Sequence, residues 1–210
     1  IPWAERESGF VYVGRIGREK RIERIVAILE EARRGGRPEL HLHIAGHIPD
    51  TPYGNAVRAL VQDKPWIAWE GEVSGDRKAR LIASHRYALH ACEVEGFGIA
   101  VAEYVKAGCL PLVPDRCGAA EIVPHAELQY RTQAEAVARI HALLDDAQLQ
   151  TTLRERLQAG SMGRSGRPAQ PPRRAVCRTS SCRRRCSMSL GRSAPGCALP
   201  SSFGSCSLCP

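Results

Sequence analysis

Apolar and polar positions along this chain follow two periods in turn. Compact apolar runs rich in aromatic and β-branched residues occur at GFVYVGR (9–15), LHLHIAG (40–46), WIAWEG (66–71), RYALHA (86–91) and CLPLVPD (109–115), as buried strands require. Between them the spacing is helical. In EKRIERIVAILEEARR (19–34), Ile22, Ile25, Val26, Leu29 and Ala32 fall on one stripe, and Gly35, Gly36 and Pro38 end it. Further helices are predicted over 55–62, 76–84, 98–108, 119–123, 133–146 and 148–158, with LQY (128–130) as a sixth strand. This alternation predicts an α/β domain, a Rossmann-like doubly wound parallel sheet covered on both faces. Such sheets bind ligands beyond the carboxyl ends of their strands, where the strand order reverses. The loops beginning at Gly14, Gly46, Gly71, Ala91 and Pro114 are therefore the place to look for chemistry.

The pattern dissolves near Gly160. Residues 159–210 contain no Lys and no acidic residue; Arg, Ser, Cys, Pro and Gly dominate. Such a composition cannot bury enough apolar surface to order itself, and the segment reads as a disordered tail or an out-of-frame translation. The expected division is a linker remnant (1–8), a ligand-binding domain (9–158) and that tail. Charge divides the same way. Nine of the 30 Lys and Arg lie from Arg164 onward, whereas all 22 Asp and Glu precede residue 160. The net charge of +8 thus belongs to the tail, and a near-neutral body does not point to a specific nucleic-acid partner. No apolar run approaches the roughly 18 residues that span a bilayer, and the start shows no secretory signal. It also lacks an initiator Met and reads as a piece of a longer protein.

Cys92, Cys109 and Cys117 sit at apolar or turn positions, which suits a structural role in a reducing, cytoplasmic setting. In the tail, Cys206 with Cys209 and Cys182 with Cys186 have zinc-like spacings but no His beside them. Arg183 to Arg185 offer only nonspecific phosphate contacts. His41 and His43 alternate with Leu42 and Ile44 like one face of a strand. Neither they nor His47 have an acidic or Cys partner at ligand spacing, so no metal site is expected. Of His85 and His90 on the fourth strand run, His90 is the one nearest the next loop.

That loop is the most informative stretch. In EVEGFGIAVAEYVKAG, Glu95 lies in the loop, Gly96 and Gly98 allow close backbone approach, and a helix begins near Gly98. Its free N–H groups around Gly98, Ile99 and Ala100 form an anion site. Glu103, eight residues after Glu95, lies one turn into the helix. The two carboxylates bracket a place for a polyhydroxylated ligand carrying phosphate.

The run resembles the E-x7-E motif of retaining GT-B glycosyltransferases, the glycosyl transferases group 1 or family four. VGRIGREK (13–20) is similar to the same family's V-G-R-hydrophobic-x-x-E-K signature, and WEGEVSGDRKAR (69–80) to its nucleobase-binding turn. The resemblance covers about 150 residues and implies the C-terminal, donor-binding half of a GT-B fold. It implies transfer of a sugar from a nucleotide diphosphate sugar with retention, without metal or other cofactor. The implied catalytic residues are Glu95, Arg15 and Lys20. Arg15 and Lys20 grip the diphosphate beside Gly14, Gly71 and Val73 hold the base, and Lys78 reaches the phosphates or sugar. Glu103 holds the ribose, while Glu95, Gly96, Phe97, Gly98, Ile99 and Ala100 surround the donor sugar. Glu121 matches a family position near the donor. The N-terminal acceptor-binding domain is missing, so the fragment is expected to be inactive alone; an acceptor at a membrane surface is an open expectation. Two alternatives stay open: another GT-B sugar-nucleotide enzyme such as an epimerase, or a noncatalytic basic-tailed binding protein.

Overall fold

The six apolar segments become six strands: β1 (Glu7–Val13), β2 (Leu42–Ala45), β3 (Ile67–Gly71), β4 (His85–Leu89), β5 (Leu110–Pro114) and β6 (Gln129–Tyr130). In this computed structural model, which describes residues 1–162, they pair in parallel in the order β3-β2-β1-β4-β5-β6. The helices are α1 (Ile22–Arg34), α2 (Pro52–Gln62), α3 (Gly75–Ala83), α4 (Ile99–Lys106), α5 (Ala119–Ile122), α6 (Gln133–Asp145) and α7 (Ala147–Met162). α1 packs on α2 and α6, while α4 packs on α3 and α7. Both faces of the sheet are thereby covered, as an all-parallel sheet requires. The expected doubly wound α/β class is the one found. Readings made for the tail beyond residue 162 lie outside the described residues.

Boundaries differ where local chemistry overrides the pattern. α1 begins at Ile22 rather than Glu19, because Arg18–Lys20 form a 3-10 turn and Arg21 adopts a left-handed backbone (φ 51°, ψ 52°). α2 starts at Pro52, three residues before the periodic stretch. Thr51 caps it, its hydroxyl accepting from the Gly54 amide at 3.1 Å, with Pro52 at the first helical position. α7 continues to Met162, past the expected end at 158. β1 starts at Glu7, whose amide donates to the Ser84 carbonyl at 2.8 Å. The residues before it, read from sequence as linker, pack onto the domain. Trp3 meets Tyr87 edge-on with ring centroids 6.0 Å apart, and the Arg154 guanidinium lies 4.3 Å from the Trp3 ring centre.

The core is built on the sheet, and its largest fully buried side chains include Phe10, Tyr12, Tyr87, Tyr104 and Tyr130. Strand order reverses between β1 and β4. Their ladder runs only as far as Val11 opposite Ala88, while β1 continues two residues to Val13. Past that point the strands diverge, and the backbone of Val13 has no strand on its β4 side. Tyr104 of α4 takes that place: its hydroxyl accepts from the Val13 amide at 2.7 Å and donates to the Val13 carbonyl at 3.2 Å. Buried backbone groups must be paired, and here one phenol pairs two of them.

Tyr104→Phe keeps the ring and leaves both groups of Val13 unsatisfied, a loss of roughly 1–3 kcal/mol. Urea unfolding should show a lower midpoint with unchanged m-value; an unaltered midpoint would mean that water or a shifted strand replaces the hydroxyl.

Candidate functional site

The divergence of β1 and β4 opens a crevice at the carboxyl edge of the sheet, flanked by the β1–α1 loop (14–21) and the β4–α4 loop (90–98). Close backbone packing shapes its floor. Gly14 donates its amide to the Ala45 carbonyl at 3.0 Å, and Gly46 donates to the Gly71 carbonyl at 2.8 Å. A Cβ on Gly46 would lie 2.0 Å from the Gly14 carbonyl oxygen, so only glycine fits there. The ends of β1, β2 and β3 thus meet glycine to glycine. The sequence marked all three as loop starts; Gly46 carries the contact between Gly14 and Gly71.

Lys20 and Glu95, 75 residues apart, meet across the crevice. The Lys20 Nζ donates to Glu95 Oε2 at 2.5 Å, and the Gly98 amide donates to Glu95 Oε1 at 3.3 Å. Burial pushes the Glu95 carboxyl up, but Lys20, the Gly98 amide and His90 together outweigh it and hold it below its ordinary value. Glu95 is therefore a carboxylate at neutral pH. Gly98 has φ +67° and closes the loop into α4, where Ala102 makes the first full helical turn onto the Gly98 carbonyl at 3.0 Å. The amides of Ile99, Ala100 and Val101 are left as first-turn donors without intrahelical acceptors. Gly118 fixes the loop from behind, donating its amide to the Glu95 carbonyl at 2.8 Å. A Cβ at Gly118 would approach that same oxygen to 2.5 Å.

The other expected residues distribute unevenly. Lys78 on α3 donates to Glu103 on α4 at 2.5 Å, bringing a second expected cation to a second expected carboxylate. Arg15 instead reaches along its own loop to Glu19 at 2.9 Å, with its side chain 78% exposed. Val73 is half-buried and packs on the core. Phe97 and Ile99 are exposed, together with Val94. Glu121 lies on α5, beside a cavity of about 350 Å³ that Gly96, Phe97, His125 and Leu157 also line; Arg15, Lys20 and Glu95 are not among its lining residues. Sequence reasoning missed Arg21, Arg24 and Glu93. Arg21 donates to Glu93 at 2.8 Å, and Arg24 pairs with the same oxygen. No sequence signal joins residues 69 to 72 positions apart; only the left-handed turn at Arg21 aims it across the gap.

His90 lies beneath Glu95, its Nε2 3.6 Å from the carboxylate, and is 3% exposed with no hydrogen-bond partner at either ring nitrogen. Burial drives its pKa down to about 4, with Glu95 opposing and Lys20 adding to the shift. With Cys92 and Glu95 it makes a cluster of metal-ligand type. The Lys20 ammonium on the same carboxylate disfavours a second cation there.

Fold and crevice define a doubly wound α/β domain of the GT-B kind. The chain belongs to the glycosyl transferases group 1 family, whose model matches residues 1–160. It is similar in fold to the pneumococcal O-GlcNAc transferase GtfA in complex with UDP and GlcNAc, with TM-score 0.64 and 18% identity over 77% of this chain and 33% of that one. The Anabaena protein HepE in complex with UDP-glucose matches with TM-score 0.65 and 17% identity over 75% of this chain and 44% of that one. The catalytic domain of the cholesterol-alpha-glucosyltransferase from Helicobacter pylori matches with TM-score 0.62 and 16% identity, covering 74% of this chain and 97% of that domain. The chain thus spans 33% of the GtfA chain and 44% of HepE. No curated protein matches it by sequence.

His90 makes the stability of the domain pH-dependent. The unfolded chain binds a proton at this residue near pH 6.5, whereas the folded one does so only near pH 4. Between those values the unfolded state holds more protons, so stability falls as pH falls, by about 3 kcal/mol in all. Unfolding free energies measured from pH 7 to 4 should fall less steeply for His90→Asn than for the native sequence. Equal slopes would mean that His90 is protonated in the fold.

Proposed function

We propose that this domain holds the nucleotide diphosphate sugar of a retaining glycosyltransferase in the β1–β4 crevice. One observation carries the reading: Lys20 and Glu95 meet at the switch point against the free amides opening α4. A diphosphate entering there competes with Glu95 for Lys20 and accepts from the amides of Ile99 and Ala100, and the dipole of α4 favours its charge. Arg15, exposed at the lip, swings from Glu19 onto the same phosphates. In the transition state these donors stabilise the charge that builds on the departing diphosphate, so the chemistry needs no metal or organic cofactor.

Glu103 accepts from the ribose hydroxyls, with Lys78 holding it ready. Glu95, freed from Lys20, accepts from hydroxyls of the donor sugar beside the backbone of Phe97 and Gly98. Gly71 and Val73, in the turn after β3, contact the base. Gly96 supports this arrangement independently. It has no positive φ, and a Cβ there would meet nothing within 4 Å. Glycine there leaves the backbone open to close approach by a ligand.

The acceptor belongs to a second, N-terminal domain, and this chain alone transfers nothing. Its 33% and 44% shares of the first two relatives described support that view, as do the exposed Val94, Phe97 and Ile99 around the crevice. Cys92, Cys109 and Cys117 are free and buried, which supports a reducing, cytoplasmic setting. No described helix is long and apolar enough to cross a membrane, so a membrane-borne acceptor would be met at the surface.

Relatives solved with UDP and UDP-glucose make uridine diphosphate the first ligand to try, with GDP and ADP beside it. A ligand at one hundred times its dissociation constant adds about 2.7 kcal/mol to stability. One of the three should raise the unfolding temperature of the chain, and Lys20→Ala should abolish the rise. If none does so with a folded protein, or if Lys20→Ala responds like the native chain, this site does not hold the diphosphate.

A further inference from the structure

At the opposite end of the sheet from the crevice, four side chains from three strands converge. His41, just before β2, places Nε2 3.0 Å from Glu7 Oε2; His43 Nε2 is 3.8 Å and His85 Nε2 3.9 Å from the same oxygen. The four ligand atoms all lie within 4.8 Å of one another. The three imidazoles crowd together, with the rings of His43 and His85 centred 4.5 Å apart.

Hydrogen bonding decides which way these rings face. Leu81 of α3 offers only a carbonyl, which accepts from His85 Nδ1 at 2.8 Å; the Ser84 hydroxyl, 3.1 Å from that nitrogen, donates to the same carbonyl, so His85 carries its proton on Nδ1. Its Nε2 is wholly buried and has no hydrogen-bond partner. His43 likewise faces Glu70 through Nδ1 at 2.8 Å and turns Nε2 toward Glu7. Carbonyl–imidazole and carboxylate–imidazole pairs of this kind orient histidines that ligate metals. Without a cation, His41 Nε2 donates to Glu7, but the lone pairs of His43 and His85 still face that carboxylate and each other, which is repulsive; a cation between them turns the repulsion into coordination. Glycine makes the room. His41 lies over Gly9 of β1, where a Cβ would stand 2.1 Å from its Nε2.

We propose that Glu7, His41, His43 and His85 bind one divalent transition-metal ion, with zinc the best match, as a structural clip across β1, β2 and β4. Three imidazole nitrogens and one carboxylate oxygen form a closed tetrahedral set, which is the structural rather than the catalytic pattern. Tetrahedral ligands at about 2.0–2.2 Å from an ion sit roughly 3.4 Å apart, so the side chains need move only by fractions of an ångström to about one. Glu7 and His41 are partly exposed, which gives the ion a way in. Arg77, 3.6 Å from Glu70, leaves the four ligands themselves unopposed. His85, which opens β4, stands the full length of that strand, about 16 Å, from the β4–α4 loop.

The test is titration of the chelator-stripped full chain with Co²⁺ and then Zn²⁺. Cobalt separates this site from the tail cysteines, since thiolate ligands add near-ultraviolet charge transfer and a nitrogen–oxygen set does not. One equivalent of Co²⁺ should give visible ligand-field bands without the thiolate band, and Zn²⁺ should displace it and raise the unfolding temperature. His41→Ala, at a partly exposed position, should abolish those bands while the far-ultraviolet circular dichroism stays native. Glu70→Gln should weaken zinc binding about 10- to 100-fold. Absence of binding, binding with only a thiolate signature, or binding equally strong in His41→Ala and Glu70→Gln would overturn the proposal.

Discussion

One hydroxyl allows the crevice to exist. A doubly wound sheet gains its binding cleft by letting two central strands part at their carboxyl ends, and parting leaves backbone groups with no ladder. Here the cost falls on Val13, whose N–H and C=O both turn to Tyr104. Burial pushes the pKa of the Tyr104 phenol far up, so it keeps its proton and serves as donor and acceptor at once. Tyr104 also sits on α4 beside Glu103, and the bond that completes β1 thereby sets the height of α4 over the crevice. The position of one proposed ligand-binding carboxylate is thus tied to the strand that carries the loop of Arg15 and Lys20.

The charges around that crevice are placed for orientation more than for stability. Lys20, Arg21 and Arg24 cluster at the start of α1, where the helix dipole disfavours cations. Glu93 and Glu95 from the facing loop offset them, and Gly118 holds that loop in reach. Partly exposed pairs of this kind contribute about 0–1 kcal/mol each. Their larger effect is to fix long side chains that would otherwise sample many rotamers. A left-handed Arg21, strained for a residue with a Cβ, persists because both its neighbours are anchored: Lys20 by Glu95, and Ile22 by its burial and by a hydrogen bond its amide donates to the Tyr53 hydroxyl at 3.0 Å.

Much of this was legible in the sequence. The five long apolar runs became β1 to β5, because a parallel strand buried on both faces reads as continuous apolar sequence. The loops singled out by their glycines, Gly14 and Gly98, do flank the crevice. What escaped was whatever depends on pairing between distant segments. The helix expected from Glu19 begins at Ile22 because Arg21 turns left-handed to meet Glu93, a contact no local pattern encodes. Arg15 and Lys20 looked like equivalent cations five residues apart, yet one lies at the lip with Glu19 and the other reaches inward to Glu95. His41 and His43 showed no ligand partner because a search along the chain could not find Glu7, His85 or Glu70. Parallel pairing in register brings all of these together.

The two ends of the sheet therefore pose opposite problems to the same three strands. At the carboxyl end β1 and β4 must separate, and Tyr104 replaces the missing ladder. At the amino end they must stay together although their register shifts between Glu7 and Phe10, which weakens the ladder just where β1 begins. The only ladder pairing before the shift is Glu7 with His85, both of them proposed metal ligands. A clip at that point adds a bond where the backbone supplies fewest. A strand pair fixed at one end can diverge at the other without slipping, because any slip by one residue would turn Glu7 away from all three imidazoles.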